Sequence, residues 1–247
     1  MRKLNRSVLS LSLIFAGFIP VSAQTADEII QKHIDATGGV DNWKKVNSVK
    51  MNCTSNANGQ EIPIIITILN GKGFKVEYTF NGMTGYSIIT DKTGWTYSPF
   101  GGQTKPEVIP DETIKEAQDQ LDLQGPLIDY KAKGNTVTYL GKDDVEGTEC
   151  YKLKITFKNG KEETEYFDAS NYNKIRSVTK IKANGKEQEL TSNMGNYQKL
   201  PEGIVMAMSL DNGNGPLTVK SIEINKPVDD NFFKPADDSK ANTNGKK

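Results

Sequence analysis

Arginine is scarce in this chain. Of 247 residues only Arg2, Arg6 and Arg176 are arginine, and the first two lie in the opening segment. Recognition of phosphate or carboxylate through rows of planar guanidinium forks is therefore excluded as its main business. There is one histidine, His33. No Ser–His–acid or Cys–His set can be assembled without it, and its position on or beside the apolar face of a predicted helix marks it as a core or boundary residue. Two cysteines, Cys53 and Cys150, are too few for a disulfide-dense scaffold. With a single histidine in the chain they also make a poor metal site, and no metal or cofactor is expected. Lysine plus arginine equals aspartate plus glutamate, so no basic surplus points to nucleic acid. Long apolar runs are missing as well: the longest, Val8 to Val21, is short of the ~20 residues that span a bilayer.

That one apolar run has a recognisable setting. Arg2, Lys3 and Arg6 precede it, and Val21-Ser22-Ala23 follows as a small-residue cleavage pattern, so residues 1–23 read as a signal peptide with Gln24 as the first mature residue. No cysteine stands at the cleavage point to carry a lipid anchor. The leader holds three basic and no acidic residues, which leaves the mature chain at 28 basic against 31 acidic. An exported chain, periplasmic in a bacterial setting, is expected. Export permits a disulfide, but strand phase argues for two unpaired cysteines. Cys53 is in phase with Val49 and Met51 on an apolar face. Cys150 is out of phase with Tyr151, Leu153, Ile155 and Phe157, which places it on the polar face.

The remaining chain reads as strands with two helical interruptions. Thr25-Ala26-Asp27-Glu28 is a capping box. The helix it opens carries Ala26, Ile30, His33, Ile34 and Thr37 on one face, with Ile29 beside it, and ends at Gly38-Gly39. A short turn with Trp43 follows. Period two then takes over: Val49, Met51 and Cys53 alternate, and Phe74, Val76, Tyr78 and Phe80 alternate with Lys75, Glu77 and Thr79. Ile62 to Leu69 is nearly continuous in apolar residues, which predicts a strand covered on both faces or lying next to an apolar ligand. Asn70-Gly71-Lys72-Gly73, Asn81-Gly82 and Asp91–Gly94 are hairpin turns. The fifth strand, Trp95 to Ser98, stops at Pro99. Gly101 to Ile109 looks like a loop, and Pro110 starts a helix expected to run to Gln124, carrying Ile114, Ala117 and Leu121. Six or seven further strands follow from Thr136 to Ile224, then a last turn with Phe232 and Phe233 and a frayed polar tail over 237–247. A sheet of 11–12 strands cannot stay flat. The expected fold is mainly β: an incomplete antiparallel β-barrel, residues 24–236 in a single domain, with an N-terminal helix and a mid-chain helical lid.

The order of these elements resembles the LolA/LolB-like lipoprotein-carrier superfamily, in particular LolA-like proteins of outer-membrane lipoprotein sorting. Thr90-Asp91-Lys92-Thr93-Gly94-Trp95-Thr96-Tyr97-Ser98-Pro99-Phe100 is similar to the family's turn followed by Trp-x-Tyr-x-Pro. Gly141 to Leu153 is similar to its strand pair joined at a Val-x-Gly turn, Tyr166-Phe167-Asp168 to a strand end, and Asn225 to Phe233 to the closing segment. The resemblance covers most of residues 25–236. It implies a half-open barrel enclosing an apolar cavity under a lid, and non-covalent carriage of acyl chains across the periplasm. The carrier has an arginine near the turn before its third strand; here the nearest cation is Lys72, which offers a point charge rather than a planar fork.

On this reading the cavity candidates are Phe74, Val76, Tyr78, Trp95 and Tyr97, with Leu121 on the lid and Met206 and Met208 on a later strand. Met206 and Met208 share one face, and methionine adapts to variable apolar ligands. Any one of these residues is equally at home as core packing; the argument for the set is that a curled sheet this long has a large interior and only two short helices to fill it. Expected partners are lipid or lipoprotein acyl chains and lipoprotein machinery of the inner or outer membrane, with the chain acting as a monomer. Two other classes stay open: a sensor module of the same fold that signals to a membrane partner, and an envelope hydrolase using carboxylates from distant strands. Asp143-Asp144, Asp229-Asp230 and Asp237-Asp238 all sit in turns or the tail, and no carboxylate pair stands out.

Overall fold

The computed structural model describes residues 24–57, 59–183, 186–213 and 215–235. The leader and tail set apart by the sequence lie outside the described residues. Helix α1 spans Ala26–Ala36 and α2 spans Val40–Trp43. The capping box forms as read: the Glu28 amide donates to Thr25 Oγ1 at 3.2 Å, and the Thr25 amide donates to Glu28 Oε2 at 2.8 Å. Ile29, Ile30 and Ile34 are the buried face of α1. The helix ends where Gly38 turns to φ +109°. Glycine is required there twice over, since a Cβ would stand 2.3 Å from the Gly203 carbonyl oxygen. The corner so formed is clamped to the sheet: the Val205 amide and the Trp43 indole N–H both donate to the Thr37 carbonyl, each at 2.9 Å.

The strands are β1 Ser48–Ala57, β2 Gln60–Leu69, β3 Gly73–Phe80, β4 Met83–Thr90, β5 Gly94–Tyr97 and β6 Glu107–Val108 in the first half. The second half holds β7 Thr136–Val145, β8 Thr148–Thr156, β9 Glu162–Asp168, β10 Lys174–Ala183, β11 Lys186–Lys199, β12 Val205–Asp211 and β13 Pro216–Ile224. They form one antiparallel sheet of thirteen strands in the order β6-β5-β4-β3-β2-β1-β13-β12-β11-β10-β9-β8-β7, not closed into a barrel. The incomplete barrel read from the sequence is therefore present, with one strand more than expected. The addition is β6, inside the stretch read as a loop, where Trp95 pairs with Val108 and Thr96 with Glu107. Two residues are too few to show an alternation.

The two edge strands, β6 and β7, are joined by residues 109–135, so the segment expected as a lid runs from one edge of the sheet to the other. Its helix is shorter than the spacing predicts. Helix α3 covers only Asp111–Glu116, and a 3₁₀ turn covers Gln118–Leu121. Tertiary hydrogen bonds take over the backbone groups that a longer helix would use. The Gln118 side-chain Nε2 donates to the Ile114 carbonyl at 3.0 Å and to the Thr90 carbonyl at 3.1 Å. The Gly71 amide donates to the Leu121 carbonyl at 2.8 Å, and the Leu123 amide to Asn70 Oδ1 at 3.0 Å. The hairpin turn between β2 and β3 thus holds the lid down.

The core lies in several patches along the concave face. One packs Ile29, Ile30 and Ile34 of α1, with Leu127 and Ile128 of the lid segment, on Tyr151, Leu153, Ile155 and Phe167 of β8 and β9. Another joins Ile89 of β4 to Ile114, Ala117 and Leu121. The cysteines are free and both buried. Cys53 packs with Met208 and Val219 on the inner face. Cys150 lies in phase with Lys152 and Lys154, on the polar face as read, but it is itself wholly covered there, with its Sγ 3.3 Å from the Thr148 carbonyl. Six strand spacings separate β1 from β8 across the sheet, which keeps the two thiols beyond bridging distance. Among the described residues no helix is long and apolar enough to cross a membrane.

Candidate functional site

Under the lid the concave face is not completely filled. A cavity of about 310 Å³ remains between α1, the lid segment and the middle of the sheet. Its roof is Ile34 and Thr37 of α1, Trp43 of α2, and the run Leu123 to Ile128. Its floor is the inward face of four strands: Met51 of β1, Ile66 of β2, Leu217 and Val219 of β13, and Met206 and Leu210 of β12. The register explains why these side chains meet. Met51 faces Ile66 on one side and Ile222 on the other, and Leu217 faces Leu210. Alternation then puts every second residue of each strand on the cavity side. Its size is at the lower end of small-molecule sites, and the apolar lining suits a hydrocarbon.

One end of the cavity is polar. Glu165 of β9 and Lys174 of β10 belong to its wall, with His33 and Tyr197 beside them. Glu165 is wholly buried, and its Oε1 accepts from Lys174 Nζ at 2.5 Å. Its Oε2 is buried without a hydrogen-bond partner. Burial pulls the Lys174 ammonium down, but Glu165 and Glu163 outweigh burial and hold it above the usual lysine range. Glu163 is raised by burial and then by the neighbouring Glu165 carboxylate; its Oε2 accepts from the Thr179 hydroxyl at 3.2 Å. Tyr197 donates to the Lys174 carbonyl at 2.5 Å, and burial pushes its phenol up to about 12. His33 sits edge-on to Phe167 at 4.8 Å, and burial drops it to about 4, so its ring is neutral at pH 7. The Nδ1 of His33 lies 2.8 Å from the Tyr172 carbonyl, which fixes the proton on Nδ1 and leaves Nε2 as an acceptor.

The residues singled out from the sequence are dispersed over both faces. Met206 lines the cavity. Met208 shares its face but packs beside the cavity with Cys53 and Val219. Val76 pairs with Ile66 and so faces the same side. Phe74 also faces inward, where Ile114, Ala117 and Leu121 of the lid already cover it. Tyr78 packs at a tilt against Phe100, with ring centroids 5.3 Å apart. Leu121 is buried between lid and strand rather than in the cavity wall, and the neighbouring Leu123 takes that place.

Trp95 and Tyr97 do share a face, but it is the face opposite the cavity. Trp95 pairs with Ile88 and Tyr97 with Tyr86. These four pack with Leu69 and Val228, and with Phe232 and Phe233 of the turn Asp230–Phe233. The expectation that Trp95 and Tyr97 line the cavity is thereby corrected. Alternation divides β5 into two faces, and the C-terminal segment, distant in sequence, supplies the apolar partner on the outer one. Gly73 belongs to the same contact, since a Cβ on it would lie 2.4 Å from the Phe233 ring.

His33, Trp43, Leu123, Glu165, Lys174 and Tyr197 were missed as wall residues. A signal did exist for Glu165: in Glu163-x-Glu165-x-Phe167 the charges are in phase with a core aromatic. A second, larger hollow of about 630 Å³ lies between the lid and the β8–β9 turn. It is walled by charged groups such as Lys115, Asp119, Asp122 and Lys133, and Lys133 is tied to Asp122 at 2.5 Å. No cluster of metal-binding side chains occurs among the described residues.

This open antiparallel sheet has counterparts among solved structures. A LolA superfamily protein from Nitrosomonas europaea superposes with a TM-score of 0.54 at 12% identity, over 85% of this chain and 98% of that one. The fold is LolA-like. A domain named for outer-membrane lipoprotein sorting, from Vibrio parahaemolyticus, superposes with a TM-score of 0.50 at 17% identity, over 84% of this chain and 95% of that one. No family model matches the sequence, and no curated protein matches it. The LolA-like likeness is one of shape.

Proposed function

We propose that this protein is a non-enzymatic binder and carrier of acyl chains, of lipid or lipoprotein origin, destined for the outer membrane. It works as a monomer in the periplasm, where the leader would deliver it. The observation that carries this reading is the apolar cavity of about 310 Å³ beneath the lid. The LolA-like fold supports the same conclusion. The driving force is hydrophobic: each buried methylene contributes about 0.8 kcal/mol, so a chain of about ten methylenes has a gross affinity near 8 kcal/mol before the cost of association. Met206, Leu210, Leu123 and Met51 would contact the chain. Met206 and Leu123 give the wall flexibility, since unbranched or γ-branched side chains can repack around ligands of different length.

The test is native mass spectrometry of the full chain purified from its own envelope, with analysis of a mild organic extract. Co-purifying lipid is expected, lost when Met206 or Leu210 is replaced by Asp. A protein that emerges lipid-free and binds neither a fatty-acyl probe nor an acylated peptide would overturn the reading.

A further inference from the structure

We infer that the second hollow, between the lid and the β8–β9 turn, binds a phosphomonoester that carries an apolar group, with Lys115 and Lys158 on the phosphate and Phe157 and Pro126 against the apolar part. The site is distinct from the acyl cavity, although Pro126 belongs to the wall of both. Its volume of about 630 Å³ is in the range of small-molecule sites. The walls are pinned to each other. Asn135, itself buried, donates to the Pro126 carbonyl at 3.2 Å and accepts from the Lys158 amide at 3.2 Å, which joins the lid to the turn. Lys161 of the turn reaches across to Asp119 of the lid at 2.7 Å. The Lys158 stem lies along Gly134, where a Cβ would stand 3.3 Å from its Cδ.

The charges decide what sort of group fits. Lys133 is committed to Asp122 at 2.5 Å, and Lys161 to Asp119. The second oxygen of Asp122 accepts from the Gln124 amide at 3.0 Å. The second oxygen of Asp119 is sealed from solvent, so it puts no acceptor into the hollow. Lys115 and Lys158 also belong to the wall, and among the described residues neither is paired with a carboxylate. Two ammonium groups are left over, which matches the charge of about −1.5 to −2 on a phosphomonoester near neutral pH. Lysine binds phosphate as a point charge and needs no planar fork to do so. Phe157 and Pro126, with the methylene stems of the lysines, supply apolar surface beside these charges. Inorganic phosphate would leave that surface unused, and a plain alcohol would leave the ammonium groups unmatched. The ligand class is thus an amphiphile with a terminal phosphate.

Isothermal titration calorimetry on the full chain, at about pH 7.5 where the phosphate is doubly charged, tests this with three probes: octyl phosphate, inorganic phosphate and octan-1-ol. Octyl phosphate is expected to bind at least about tenfold tighter than either of the others, and to weaken as salt rises, because exposed charges are screened. With Lys115→Gln and Lys158→Gln combined, its affinity should fall by at least about tenfold. Both lysines are exposed, so this variant should fold, and an unchanged thermal melt checks that. Met206→Asp spoils the acyl cavity and should leave octyl phosphate binding within about twofold of wild type. Loss of binding in a folded Met206→Asp would put the probe in the acyl cavity and overturn the assignment; the lysine variant decides the matter even if Met206→Asp fails to fold. Inorganic phosphate binding as tightly as octyl phosphate overturns the amphiphile and leaves a site for the free ion. Affinity untouched by loss of both lysines, or no binding of octyl phosphate at all, overturns the proposal outright. None of these results removes the acyl-carrier reading, which rests on the other cavity.

Discussion

Lys174→Met should be among the most damaging single changes at the cavity. It removes the only cation held against Glu165, whose side chain is 1% accessible, and leaves a carboxylate with one oxygen already unpartnered and the other newly so. Two unit charges about 4 Å apart interact by about 4 kcal/mol at an effective dielectric of 20. Truncating one partner of a buried pair typically costs about 3–5 kcal/mol, a large share of the 5–15 kcal/mol that holds an ordinary domain together. Glu163 adds to the loss, since it too faces Lys174. In urea, with a slope of about 2–3 kcal/mol per molar, the midpoint should fall by about 1–2 M. Tryptophan fluorescence and far-ultraviolet circular dichroism can follow it. The informative control is Glu165→Met with Lys174→Met. Replacing a buried pair by apolar groups is often neutral or stabilising, so the double variant should recover most of the loss, short of the share that Glu163 contributes. If Lys174→Met cost under about 1 kcal/mol, or the double variant were as unstable as the single, the pair would not be the buried, mutually dependent unit described here.

Other outcomes follow from single contacts. His33 is held near pKa 4 in the fold against about 6.5 in an open chain, so the unfolded state takes up a proton first. Stability should therefore drop as pH falls from about 6.5 to about 4, by up to about 3 kcal/mol, and His33→Asn should flatten the curve in that window; parallel curves would refute it. Gly38→Ala should lose most of the folded population in a thermal melt, because the new Cβ meets the Gly203 carbonyl at 2.3 Å in a left-handed backbone conformation. Phe233→Ala should cost about 3–5 kcal/mol by denaturant titration, since the ring is buried against Tyr86 and Ile88, and an unchanged midpoint would show that the C-terminal turn is dispensable. Burial pushes both thiols to about 11, so the native protein should resist alkylation at pH 8, yet display two free thiols once denatured.

The fold was largely legible because its signals are local. The Thr25–Glu28 capping box, the glycines that end α1 and the period-two strands each depend on neighbours a few residues away. The continuous apolar run over Ile62–Leu69 also announced a strand with cover on both sides, and its second half has it: Ile64 and Ile66 pack with Cys53 and Met208, and Leu69 packs with Phe233, while Pro63 stays exposed. What the local pattern could not resolve was which side is which. Trp95 and Tyr97 look like cavity aromatics from their own strand, and only the return of residues 228–233 to that strand reveals the outer face. The mid-chain helix was overextended because the groups that end it, Gly71 and Asn70, lie fifty residues earlier. The Glu165–Lys174 pair was hidden for a related reason. Charged residues on a strand ordinarily signify solvent, and only the pairing of β9 with β10 brings the two together inside.

The strand order also has a kinetic meaning. β1, near the start of the mature chain, sits in the middle of the sheet, and its second neighbour is β13, where Val49 meets Ile224. Until that last strand has been made, the two halves of the sheet are separate meanders, each with a raw inner edge. Closing a loop of this length precedes any gain from the contacts it creates, which makes such topologies slow to form. As the chain emerges from a ribosome or a translocation channel, the half ending at β6 must therefore wait with β1 unpaired on one side, open to any strand that reaches it first.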